Sequence, residues 1–539
     1  MSSRQFGFRL GRSASDAIAL AAEVCGSTPH KYVEKRRPLS LAFVPVVEAP
    51  SDSAVIVEPP ADILRNGSYN QVPIIVGVTS AEGTVVPTLT EAKIADMKDN
   101  FTMLIGSQLP LPTEEQRTRA AEQLEQFYFR DEGFSMDDMQ AVIDGDDVIV
   151  TVENGDLRGV VATSLNGALY NQFLGIPFAT PPVGDLRFRD PQPAPSWSGV
   201  RDALTLARGC PQTDYDGSED CLYLNVYVPA TGSAPFPVMV YIHGGGFSVG
   251  FSFNGTPHYF VEKGAVLVTT AYRLGALGFM SLQNDDIPGN AGLKDQVLAL
   301  QWVQNNIAAF GGDPSKVAIF GESAGGASTS HLFLSPATRG LFSQVIMQSG
   351  VATTPWALAN NPREKAYRMA EALGFQAQGG NHTDDDDVRL AAFFRAANYS
   401  DLINDTSIAL SDLENRCPLS LAFVPAVEPP SDSAVIVEPP ADILRTGSYN
   451  QVPIIVGVTS AEGTVVPTLT EAKIADLKEN FTMLIGSQLP LPTEEQRTRA
   501  AEQLQQFYFG DEGFSTDDMQ AVIDVSICHS PLYCSREIF

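Results

Sequence analysis

The chain has 539 residues, and its 35 basic and 64 acidic side chains leave a formal charge of −29. Hydrophobic residues make up 44% and charged residues 18%, a globular composition that excludes a disordered or collagen-like chain. The acidity disfavours nucleic acid and anionic membrane as partners, and no apolar run approaches the roughly 20 residues of a transmembrane span.

The length suggests two to four domains. At the N-terminus Arg4, Arg9 and Arg12 precede a short apolar stretch, residues 17–25. Asp16 and Glu23 interrupt it, so it reads as an amphipathic helix rather than a signal peptide. Residues 38–144 then return as residues 418–524 at a constant offset of 380, with eight differences over 107 positions. That period is far too long for a solenoid. The repeat reads as a duplicated module or, better, as two closely related genes joined in one frame, because the residues around each copy look like parts of one larger domain. The expected organisation is a fragment, residues 1–144, followed by a main domain, residues 145–539.

A new pattern begins near Val148. VIVTVENGDLRGV (148–160) alternates as a hairpin would, with a Gly turn. Residues 237–247 and 265–273 read as buried strands, and residues 290–312 have apolar side chains at helical spacing and stop on Gly311 and Gly312. Residues 317–320, 345–349 and 453–460 are further β-branched runs. Strands alternating with helices predict an α/β fold with a mostly parallel sheet covered on both faces.

Two motifs carry chemistry. GESAGG (321–326) follows a strand and precedes a helical stretch, the setting of a nucleophile elbow that lifts Ser323 to the carboxyl edge of a sheet. HGGG (243–246) ends an earlier strand, and successive glycines can aim N–H groups at a developing oxyanion. The amides of Gly245, Gly246 and Ala324 would make three donors. Six cysteines show no metal-binding CxxC spacing. No metal or organic cofactor is implied.

From about Val148 to the chain end these residues resemble the type-B carboxylesterase/lipase family, the cholinesterase-like α/β-hydrolases. The resemblance runs through FLGIPFATPPVGDLRF, SEDCLYLNVYVP, YIHGGGF, NAGLKDQVLALQWVQNNIAAFGGDP, GESAGG and VTSAEG, in that order. It implies an α/β-hydrolase fold and a serine acyl-enzyme mechanism acting on a small-molecule carboxylic ester. Ser323 would be the nucleophile, Gly245, Gly246 and Ala324 the oxyanion hole, and Glu462 the triad acid, with Ser349 steadying that acid. It also implies a disulfide between Cys210 and Cys221, which fits an oxidising compartment. Together with seven Asn-x-Ser/Thr sequons (Asn66, Asn100, Asn254, Asn381, Asn398, Asn404 and Asn480), that points to a secreted or lumenal glycoprotein.

The chain departs from the family pattern in several places. The loop CPQTDYDGSEDC lacks the tryptophan with which cholinesterases bind choline, and no second disulfide is visible between residues 374 and 395. Glu322 stands where juvenile-hormone esterases typically carry Gln, which points to a general esterase. In the family the triad histidine lies further beyond the acid than the 77 residues that follow Glu462, and no HG dipeptide occurs there. His243 reads as structural or substrate-lining, His331 lies two turns behind the nucleophile, His258 and His382 sit in polar loops, and His30 and His529 lie near the chain ends. Glu82, in an identical VTSAEG, repeats the acid in the N-terminal copy. The expectation is a fold incomplete at its C-terminal end and an ester hydrolase impaired for want of its base. The alternative is an inactive cholinesterase-like binding or adhesion protein.

Overall fold

In the computed structural model the chain divides into two compact units, Met1–Asp144 and Gly145–Phe539. The structure describes residues 147–509 apart from residues 165, 216, 253–256, 379–381, 418–419, 460–475, 477–478 and 484–492. The whole N-terminal copy, with Glu82 and His30, lies outside the described residues, as do Glu462, Cys528, His529 and Cys534.

Ten strands form one sheet. They are β1 (Asp147–Val152), β2 (Gly155–Thr163), β3 (Leu169–Pro177), β4 (Val200–Asp202), β5 (Tyr223–Pro229), β6 (Phe236–Ile242), β7 (Val266–Thr270), β8 (Gly312–Glu322), β9 (Gln344–Gln348) and β10 (Ile454–Gly457). Their order is β1-β2-β3-β5-β7-β6-β8-β9-β10, with β4 beside β2. Pairing is antiparallel from β1 through β7 and parallel from β7 through β10. The sheet is therefore mixed. Its parallel half carries the predicted motifs, and its antiparallel half grows from the hairpin read in residues 148–160, where Val152 faces Gly155 across the turn.

The helices are α1 (Pro257–Glu262), α2 (Gly275–Phe279), α3 (Ala291–Asn306), α4 (Ala324–Leu334), α5 (Pro362–Ala372), α6 (Asp384–Ala396), α7 (Tyr399–Ile403), α8 (Asp412–Arg416), α9 (Pro440–Thr446) and α10 (Glu494–Phe509). Strand β7, VLVTT, is buried at every position, as a central strand covered on both faces must be. Every residue of α4 is buried too, and its first turn is built of small residues so that it can lie close against the sheet. Helix α3 ends at Asn306 and passes into a 3-10 turn, Ile307–Phe310, whose C-cap Gly311 has φ 82°. The predicted glycine stop thus works by supplying the left-handed residue that closes the helix.

Buried ion pairs tie these layers together. Arg273 grips Asp295 of α3 through its guanidinium Nε and Nη2, at 2.8 and 2.7 Å, and through its backbone N–H at 2.9 Å. Lys294 lies between Asp190 (2.7 Å) and Glu428 (2.9 Å). Glu428 also accepts the N–H groups of Val435 and Ile436 and the Asn290 amide. A charge this deep is tolerated because Oε2 is paired with Lys294 and Oε1 accepts three hydrogen bonds. The network fastens residues 426–436 to the helix beneath the motif-bearing strands.

Candidate active site

Ser323 stands between the end of β8 and the start of α4 with φ 58° and ψ −123°. A side-chain-bearing residue adopts that backbone only where its surroundings enforce it. Three constraints do so. The Ser323 N–H donates to the Gln348 carbonyl at 2.8 Å, and its carbonyl accepts the Ala327 N–H at 2.9 Å. The first turn of α4 lies so close to β6 that a Cβ on Gly325 would fall 2.1 Å from the Ile242 carbonyl oxygen. The result is a half-buried hydroxyl at the carboxyl edge of a parallel sheet, where open α/β sheets bind ligands.

The glycine loop leaves the neighbouring strand, β6, at the same edge. A Cβ on Gly244 would lie 3.2 Å from the Ser323 Cβ, so the loop runs alongside the serine. Gly245 has φ 108°, and its carbonyl accepts the N–H groups of Ser248 and Val249 at 3.1 and 3.0 Å. A Cβ there would strike the Val249 carbonyl at 2.0 Å. Gly246 continues at φ 61°. Among the described residues no backbone hydrogen bond uses the Gly245 or Gly246 N–H, and the Ala324 N–H opens helix α4 and has no partner within it.

The loop is clamped from below and from the side. His243 is buried and stacks on Tyr272 at 4.3 Å. Its Nδ1 is 2.9 Å from the Gly244 carbonyl, and the Tyr272 hydroxyl donates to the His243 carbonyl at 2.8 Å. Burial pushes the His243 imidazole down to about 4, so it is neutral at pH 7. Gln212 clamps the far end: its Oε1 accepts the Gly250 N–H at 2.8 Å and its Nε2 donates to the Gly250 carbonyl at 3.0 Å. Gln212 sits in the loop closed by the Cys210–Cys221 disulfide. Sequence reasoning missed Gln212, because its partner is 38 residues away and no local pattern connects them.

The other histidines are engaged elsewhere. His331 is buried in α4, its Nε2 bonded to the Ala357 carbonyl at 2.9 Å, and burial pushes it down to about 4. His382 stacks on Tyr367 at 3.5 Å and lies 3.6 Å from Glu371. His258 meets the Tyr170 ring edge-on, and burial lowers its pKa. Among the described residues no hydrogen bond joins any of these four to Ser323.

Ser349, at the end of β9, has φ 52° and donates its N–H to the Gly457 carbonyl at 2.8 Å. It therefore sits beside the end of β10, the strand that leads toward residue 462. Among the described residues no group of three His, Cys, Asp or Glu side chains could hold a metal ion, and no helix is long and apolar enough to cross a membrane.

A mixed sheet flanked by helices, with a strained serine between strand and helix and a glycine loop beside it, defines an α/β-hydrolase. The Carboxylesterase family model matches residues 146–533, and the chain belongs to that family. It is similar to a juvenile hormone esterase of Tribolium castaneum, 40% identical over 357 residues, which cover 63% of this chain and 60% of that protein. It is also similar to esterase B1 of Culex pipiens, 36% identical over 378 residues, 67% of this chain and 68% of that protein. The chain thus spans about 60% to two thirds of the length of these relatives.

Proposed function

We propose that the site is that of a carboxylic ester hydrolase working through a serine acyl-enzyme. The observation that carries this reading is the approach of the glycine loop to Ser323, with a Cβ on Gly244 only 3.2 Å from the Ser323 Cβ. Ser323 attacks the ester carbonyl carbon. The carbonyl oxygen gathers negative charge, which the N–H groups of Gly245, Gly246 and Ala324 receive, aided by the positive end of the α4 dipole. The C–O bond to the alkoxide breaks, the Ser323 hydroxyl proton passes to that oxygen so that the alcohol leaves, and water then hydrolyses the acyl-serine to the acid and free Ser323. Glu462 is the acid that would orient a base, steadied by Ser349. The substrate is a small-molecule ester, and Glu322 at the second position of the elbow favours a general esterase.

A serine hydroxyl is a poor nucleophile at neutral pH without a base. Among the described residues no hydrogen bond joins any of the four histidines to Ser323, and His243 and His331 are fully buried against main-chain carbonyls. On the described residues alone, the site binds and positions esters and turns them over slowly. The same observation favours a second reading, an inactive binding protein built on the same fold. A fluorophosphonate probe separates the two. The esterase reading expects covalent labelling of the purified chain at Ser323, slowed to hours for want of a base, and none in Ser323→Ala. Absence of label at Ser323 over hours, with a folded chain, favours the binding protein.

A further inference from the structure

Seven sequons are spread along this chain, and the structure treats the three it describes differently. The glycan of an N-linked site is carried on the asparagine Nδ2, so the question at each site is what that nitrogen is doing and whether there is room beside it. Asn398 and Asn404 bracket the short helix α7, and both are exposed. Asn398 caps the helix through its other atom: Oδ1 accepts the Ser400 N–H at 3.1 Å, and among the described residues no hydrogen bond takes its Nδ2. Asn404 closes the helix through its backbone, donating its N–H to the Ser400 carbonyl at 3.1 Å, and among the described residues no hydrogen bond takes its side chain.

The platform beneath the two asparagines is fixed. Leu402 and Ile403 are buried, Arg187 donates to the Ala397 carbonyl at 2.6 Å, and Thr213 donates to the Ile403 carbonyl at 3.1 Å. Thr213 belongs to the loop closed by Cys210–Cys221, a bond that forms in an oxidising compartment, where N-glycans are also added. Asn480 contrasts on every count. It is half-buried, and its Nδ2 donates both to the Asp476 carboxylate at 2.8 Å and to the Asp476 carbonyl at 3.2 Å. Asp476 is itself held by Arg416 at 2.6 and 2.9 Å. A sugar on that nitrogen would displace a hydrogen bond and push into an ion pair.

We infer that Asn398 and Asn404 are N-glycosylation sites and that Asn480, with the same sequon grammar, is not. The two occupied sites place a pair of oligosaccharides on one short helix, over the disulfide loop whose Gln212 clamps the glycine loop. This inference is independent of whether Ser323 turns esters over.

The test is site mapping on the full 539-residue chain, expressed in eukaryotic cells behind a secretory leader and recovered from the medium or the microsomal fraction. Release of the glycans by peptide-N-glycosidase in isotopically labelled water tags each asparagine that carried one. The tag is expected at Asn398 and Asn404 in most molecules, and not at Asn480. Absence of the tag from either Asn398 or Asn404, or its presence at Asn480, overturns the inference. Ser400→Ala and Thr406→Ala sharpen it, since each destroys one sequon without touching its asparagine. Each variant should migrate faster by one glycan, and unchanged mobility of either would count against that site.

Discussion

The backbone around Ser323 and the surroundings of the four described histidines have been put to opposite uses. The serine is held half-open at a sheet edge in a conformation that its side chain disfavours, enforced by Gln348, Ala327 and the close approach of Gly325 to Ile242. His243 and His331 are fully buried, neutral, and bonded to main-chain carbonyls. Strain is concentrated where a reacting atom must be presented, and the imidazoles of the same layer serve packing. The presence of histidine near an elbow is thus no sign of a base. The identity of its hydrogen-bond partner is what decides.

The largest expected effect that sharpens this contrast is on acid stability. His243 and His331 have folded-state values near 4 against an ordinary 6.5, because burial disfavours their charged forms. Between those values the unfolded chain binds protons that the folded chain refuses. Stability is therefore full above pH 6.5 and falls as the pH drops toward 4, by up to about 3 kcal/mol for each group. Chemical denaturation at stepped pH measures this. A flat profile across the window would mean that the two rings are not buried neutral.

Next comes Gly325→Ala. The new methyl would sit 2.1 Å from the Ile242 carbonyl oxygen, and nothing there is a flexible chain end that could yield. A loss of about 3 kcal/mol or more is expected, together with loss of fluorophosphonate labelling at Ser323. Retention of both would break the claim that close packing enforces the elbow.

Reduction of the Cys210–Cys221 bridge, or its replacement by two serines, should cost about 2–3 kcal/mol in urea unfolding. It should also slow labelling, because the loop that it closes carries the clamp on Gly250. Gln212→Ala has the smallest expected effect, about 1 kcal/mol for the lost hydrogen bonds. Its use is as a control, since it loosens the glycine loop and leaves the serine turn intact. Unchanged labelling in Gln212→Ala would separate loop rigidity from reactivity.

The elbow and the glycine loop are legible in the sequence because both are backbone devices whose residue requirements are local. A small residue is needed wherever strand and helix meet closely, and glycines where φ turns positive. Strand β8 extends five residues earlier than its β-branched run, since Gly312 pairs with Phe236 and pairing does not require an apolar side chain. The antiparallel half of the sheet is less legible beyond its first hairpin, because β3, β5 and β7 find each other across long loops. The clamps, Gln212 on Gly250 and Tyr272 on His243, follow from tertiary proximity alone. Glu462 is named by resemblance and lies outside the described residues. Ser349 is brought to the end of β10 by its bond to Gly457.

The most direct test of the account is the time course of ester hydrolysis by the purified 539-residue chain. Acylation confined to Ser323 is predicted, with turnover no more than about 10³–10⁴ above the uncatalysed reaction, the level that an oxyanion hole and binding supply without a base. Fast turnover that disappears in Ser323→Ala would contradict it, by requiring a proton acceptor that His243, His258, His331 and His382 do not provide.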